Sequence, residues 1–132
     1  MDSTTSETGP DRVERGSERG ALMAAISNTI VGLHKRNFGK GPTKARSYLL
    51  DDMVVCVLRG GRTRAEQTLI DSGRSELVTK QRHDFQEAVR DEFTTAVELL
   101  VGRRVVAFMS TSHPEPDVSV EIFILETDGQ PE

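Results

Sequence analysis

The sequence predicts an α+β domain: a four-stranded, mainly antiparallel sheet with helices packed on one face, in the order α-β-β-α-α-β-β. Three observations predict it. Two pairs of strand-length apolar runs, residues 44–50 with 53–59 and 103–111 with 118–125, are each joined by a short turn of polar or proline residues. Apolar spacing of helical period precedes the first pair and fills the stretch between the pairs. The chain has 132 residues, which suits one domain that folds without disulfides.

Residues 1–18 hold a single aliphatic residue after the initiator, Val13, among Ser, Thr, Gly and charge. They read as a disordered tail, because they bury too little apolar surface to offset ordering. A single domain over 19–127 follows, and 128–132 read as a polar tail.

The first helix is expected from about Gly20 to Phe38. Leu22, Ile26, Ile30 and Leu33 form one apolar stripe. Lys35 and Arg36 suit the negative end of the helix dipole. Gly39 or Gly41 closes the helix, and Pro42 prevents its resumption.

Lys44–Leu50 is the first strand. Asp51-Asp52 suits a tight turn. Met53–Arg59 is a second strand, apolar enough for burial on both faces. Gly60-Gly61 ends it. Thr63-Arg64-Ala65-Glu66 is a capping box that starts a short helix to about Ser72.

A long helix is expected over residues 75–101, with Val78, Phe85, Val89, Phe93, Ala96, Val97 and Leu100 on its buried side. Unbroken, it would extend about 40 Å at about 1.5 Å per residue, longer than a small core is wide. That excess suggests projection into a partner subunit. The last strand, residues 118–125, alternates with period two. Its β-branched residues Val118, Val120, Ile122 and Ile124 are expected to face the core.

Composition narrows function by exclusion. The net charge is -4 and the pI about 5.4, which argues against a nucleic-acid-binding surface. No segment approaches the roughly 18 apolar residues of a membrane span, and no secretory signal is visible. The lone Cys56 lies in the run Met53–Leu58 and reads as a small core hydrophobe, consistent with a reducing cytoplasm. His34, His83 and His113 are not at ligand spacing. His113 with Glu115 and Asp117 is better explained as a proline-rich turn. No cofactor or metal is expected, and no catalytic constellation stands out.

One charge asymmetry remains. From His34 to Glu66 eight cations face three carboxylates, in a protein that is acidic overall. Lys40, Gly41, Lys44 and Arg46, at the entry to the first strand pair, are the candidate site for an anion or an acidic partner. The GxxxxGK[ST] spacing of a phosphate loop is absent.

The residues GKGPTKARSYLLDDMVVCVLRG, then TRAE, then a helix leading into GRRVVAFMS and a last strand VSVEIFILE, resemble a bacterial family. That family is named after the MpsC component of a sodium-translocating, membrane-potential-generating system. The resemblance covers about residues 20–126. One departure is Arg62, where the family often has leucine before the capping threonine; it weakens a hydrophobic staple and leaves the fold intact.

The resemblance implies a small, soluble, non-enzymatic protein with an accessory or regulatory role in membrane cation or bicarbonate uptake. Its implied partners are subunits of a membrane transport complex, and its place is the cytoplasm or the inner face of the membrane. Together with the overlong helix it suggests a homodimer. It supplies no catalytic residue. The rival expectation is a sensor that holds a small anion or nucleotide through the basic patch at 40–46.

Overall fold

The computed structural model describes residues 10–127, with side chains from residue 16 onward. Its elements are α1 (Pro10–Phe38), β1 (Lys44–Leu50), β2 (Met53–Arg59), α2 (Arg64–Asp71), α3 (Ser75–Ala88), α4 (Arg90–Val101), β3 (Val105–His113) and β4 (Val118–Leu125). The four strands form one antiparallel sheet in the order β1-β2-β4-β3. The α+β class and the two joined hairpins are as the sequence predicts.

The two-residue turn at Asp51-Asp52 sets the first hairpin, pairing Leu50 with Met53 and Lys44 with Arg59. Asp51 takes the left-handed conformation, φ 57, which aspartate tolerates better than most residues. Gly39, φ 84, closes α1, and its amide bonds Lys35 O at 2.9 Å. Thr63 and Glu66 form the reciprocal capping box that opens α2.

The helices lie on one side of the sheet. Ile26 and Ile30 of α1, with Phe93 and Val97 of α4, pack on Val54, Cys56, Leu58, Phe108, Phe123 and Leu125. Phe93 and Phe123 are fully buried, each worth about 1.5–3 kcal/mol of apolar transfer. Phe108 bridges them, with ring centroids 6.5 Å from Phe93 and 4.9 Å from Phe123.

The structure corrects four expectations. First, α1 starts at Pro10, so residues 10–18 are helical rather than a disordered tail. Residues 16–21 are all exposed. Burial was therefore the wrong criterion: extending a helix already nucleated on a buried stripe adds one hydrogen bond per residue. Residues 1–9 and the polar tail 128–132 lie outside the described residues.

Second, the long helix is two. It breaks at Val89, φ -107 and ψ 12. A straight rod of about 40 Å would overshoot four strands spanning about 19 Å. The break lets Val78 and Gln86 of α3 and Phe93 and Val97 of α4 all reach the core side. The projecting helix disappears, and with it that argument for a partner subunit.

Third, β4 faces the other way. Glu121, Phe123 and Leu125 are buried, while Val118, Val120, Ile122 and Ile124 are half-buried on the opposite face. Fourth, β2 is buried on one face only: Val54, Cys56 and Leu58 point inward, and Met53, Val55 and Val57 are half-buried.

Candidate functional site

Cross-strand register arranges the uncovered side of the sheet into rows. At one end lie Lys44, Arg59, Val118 and His113. The next rows are Arg46, Val57, Val120 and Thr111, then Tyr48, Val55, Ile122 and Met109. The far row is Leu50, Met53, Ile124 and Ala107. The face is therefore apolar through its middle and far end, and basic at one corner. Among the described residues no helix packs on it, and Tyr48, Leu50 and Met109 are 42%, 55% and 49% exposed.

The basic corner gathers part of the predicted site. Lys44 and Arg46 line a shallow depression of about 350 Å³ together with Tyr48, Val57 and Arg59. The Arg46 guanidinium lies 5.8 Å from the Tyr48 ring centroid. Neither Lys44, Arg46 nor Arg59 forms an ion pair with another described residue.

Lys40 is exposed in the loop between α1 and β1 and does not line this depression. Gly41 packs backbone on backbone: a Cβ there would meet Val31 O at 3.1 Å and the Lys35 Cβ at 3.3 Å. A Cβ on Gly61, φ 91, would meet Pro42 N at 3.0 Å. Gly41 thus lets its loop lie close against α1, and Gly61 lets the loop after β2 cross that loop tightly. Arg59 and Tyr48 were missed from the sequence. The two-residue turn held the signal, because it pairs position 44 with 59 and sets 48 on the same side.

The covered side carries a second polar feature. Ser47, Cys56, Glu121 and Ser110 form one row across the sheet. Glu121 is fully buried. Its Oε2 lies 2.9 Å from His34 Nε2 and accepts from Gln86 Nε2. The His34 ring stacks on Phe38 and meets Phe93 edge-on, with centroids 5.2 and 5.3 Å away. Glu121 Oε1 and Gln86 Oε1 are buried without a hydrogen-bond partner.

Ser27 and Ser47 share a hydrogen bond of 2.7 Å, and Ser47 Oγ lies 3.3 Å from Cys56 Sγ. Burial pushes the Cys56 thiol up to about 12, a rise that the Ser47 hydrogen bond opposes and the Glu121 charge reinforces. Such a thiol stays protonated and unreactive. Cys56 is on the covered side and the basic corner on the open side, so the sheet itself separates them. His113 sits on the open-side rim with Nδ1 2.9 Å from Pro116 O. Among the described residues no cluster of three or more His, Cys, Asp or Glu side chains could hold a metal.

Arg62 replaces the expected staple with polar contacts. Its Nη1 donates to Gln67 Oε1 at 2.8 Å and Glu115 Oε1 at 3.2 Å, and its Nε lies 3.9 Å from Asp117 Oδ2. The carboxylates of the β3–β4 turn are thereby engaged within the chain. Asp51 and Asp52, at the opposite end of the sheet, form no ion pair with another described residue.

Comparison with known proteins supplies a family. The family model described as "Na+-translocating membrane potential-generating system (MpsC)" matches residues 18–127. A curated relative, the uncharacterized protein YrhF of Bacillus subtilis (strain 168), is 25% identical over 103 residues, covering 76% of this chain and 84% of that protein. No solved structure matches the chain significantly.

Proposed function

The chain belongs to the MpsC family, and from that premise we propose that it is a non-enzymatic accessory or regulatory subunit of a sodium-translocating, membrane-potential-generating system. It acts by protein–protein contact with membrane transport subunits, on the cytoplasmic side. No helix of the described residues is long and apolar enough to cross a membrane, so the role assigned to it is docking rather than forming a helical ion path.

The observation that carries this reading is the uncovered sheet face. A contiguous apolar surface of several strands, rimmed by charge, is the form that protein docking surfaces take. The test is genetic and electrical. Cells lacking the chain are expected to show a reduced sodium-dependent membrane potential by a cationic dye. Wild-type protein restores it, and Ile122→Glu, in the middle of the face, does not. An unchanged potential on deletion would overturn the proposal.

A second reading rests on the depression at Lys44, Arg46 and Arg59. Three clustered cations beside a tyrosine suit a small anion such as phosphate or a nucleotide. In this reading the chain is a sensor. Phosphate and ATP are then expected to raise the melting temperature, and Lys44→Ala with Arg46→Ala removes the rise. No rise with either anion ends this reading.

A further inference from the structure

We infer that the occupant of the uncovered sheet face is a second copy of this chain, stacked face to face about a two-fold axis that lies in the interface and runs across the strands. This deepens the docking reading by naming the face's first partner; the dimer becomes the unit that meets the membrane system.

Size permits it. Four strands about 4.8 Å apart and seven residues long cover about 19 by 24 Å. Two such faces, with side-chain relief, reach the roughly 1,000 Å² that a specific interface needs. The centre of the face, Val55, Val57, Val120 and Ile122, carries no charge. Stacked sheets pack about 10 Å apart with aligned strands, so these side chains would interdigitate as in a sandwich core.

Charge selects the axis. Two simple two-fold arrangements exist for facing sheets. With the axis along the strands, the basic corner of one copy meets the β3–β4 turn of the other, whose Glu115 and Asp117 are already engaged by Arg62. With the axis across the strands, β1 lies over β1 of the second copy and runs the opposite way. The Lys44, Arg46 and Arg59 end then meets the Asp51-Asp52 turn of that copy. Both groups lack an ion pair among the described residues, and the contact occurs twice by symmetry. The second arrangement satisfies the cations and carboxylates that the monomer leaves open.

Sedimentation equilibrium of the full chain tests this. The wild type is expected at twice 14.6 kDa. Arg46→Glu with Arg59→Glu, and separately Asp51→Asn with Asp52→Lys, are each expected to weaken the dimer about tenfold or more through like-charge contacts. Asparagine is chosen at 51 because it tolerates the left-handed backbone there. Mixing the two variants restores a dimer, because each introduced charge then meets its opposite. Circular dichroism verifies that both variants remain folded.

A monomeric wild type overturns the inference, as does a dimer that either variant or Ile122→Glu leaves intact. Variants that fail to recover on mixing overturn the axis. Loss of the dimer with an unaffected membrane potential sinks the function proposed above while leaving the dimer standing. A wild-type chain that sediments as a monomer and still supports the potential does the reverse.

Discussion

Replacing Glu66 with alanine is expected to cost this fold about 3–5 kcal/mol, the usual result of stripping one partner from a buried ion pair. The geometry explains why the value should be high. The Glu66 carboxylate accepts from Arg82 Nε at 2.6 Å, from Arg82 Nη2 at 2.6 Å and from the Thr63 amide at 2.9 Å. Both side chains are only 10% exposed. Arg82 also donates to Gly61 O at 3.1 Å and lies 4.9 Å over the Phe38 ring. One pair therefore ties α2, α3, the loop after β2 and the end of α1 together.

Urea unfolding followed by circular dichroism measures the loss. Glu66→Leu combined with Arg82→Met is expected to recover much of it, since an apolar pair of similar volume removes both desolvated charges. A loss below about 1 kcal/mol would mean a solvated pair and would refute the argument. So would strictly additive single and double variants.

The same pair predicts a pH dependence. Desolvation alone would raise the Glu66 carboxyl. The hydrogen bonds from Arg82 and Thr63, with the Arg82 charge, outweigh it and hold the group below its ordinary 4.5. A lowered folded value stabilises fully above the unfolded one and is lost as pH falls through the folded one. Wild-type stability should therefore decline below about pH 4.5, and Glu66→Gln should flatten that decline.

Further outcomes follow from the covered side and the loops. His34→Ala, which leaves Glu121 buried with one partner fewer, should destabilise by about 3 kcal/mol in urea unfolding, and His34→Ala with Glu121→Leu should lose less. Cys56 should resist alkylation by iodoacetamide in the native protein at mildly alkaline pH and react at the rate of unfolding. Since its thiol is raised from 9.0 to about 12, its contribution to stability is full below 9.0 and fades as pH rises toward 12. Gly60→Ala should cost about 2–3 kcal/mol, because φ is 80 and the new Cβ collides with Thr43. Gly102→Ala, with φ 71 and open space, should cost only about 1 kcal/mol.

What could be read from the residues depended on how locally each feature is determined. The first hairpin was legible to the residue because a two-residue turn and period-two alternation both act within sixteen positions (44–59). The capping box was legible for the same reason. The facing of β4 was not. Its β-branched set looks more hydrophobic, and the buried set contains Glu121, whose presence inside is explained only by His34, 87 positions away. The break at Val89 was likewise hidden. Helical periodicity carries across it, and only the width of the sheet calls for it. In the basic patch, Lys44 and Arg46 could be found from charge, whereas Arg59 required the register. The role of Gly41 required knowing what lies against it.

The two-residue turn between β1 and β2 has a consequence for how this gene can change. Strand side chains alternate with strict parity and the turn fixes their register, so one residue inserted between Leu49 and Leu50 would turn Ala45, Ser47 and Leu49 outward and Lys44, Arg46 and Tyr48 into the core. Substitutions can tune the outward surface freely, position by position. Single insertions cannot, because each would invert every residue of its strand that lies beyond it from the turn. Length variation among descendants of this sequence should therefore collect in the connections around 39–43, 60–63 and 72–74, where no parity is at stake.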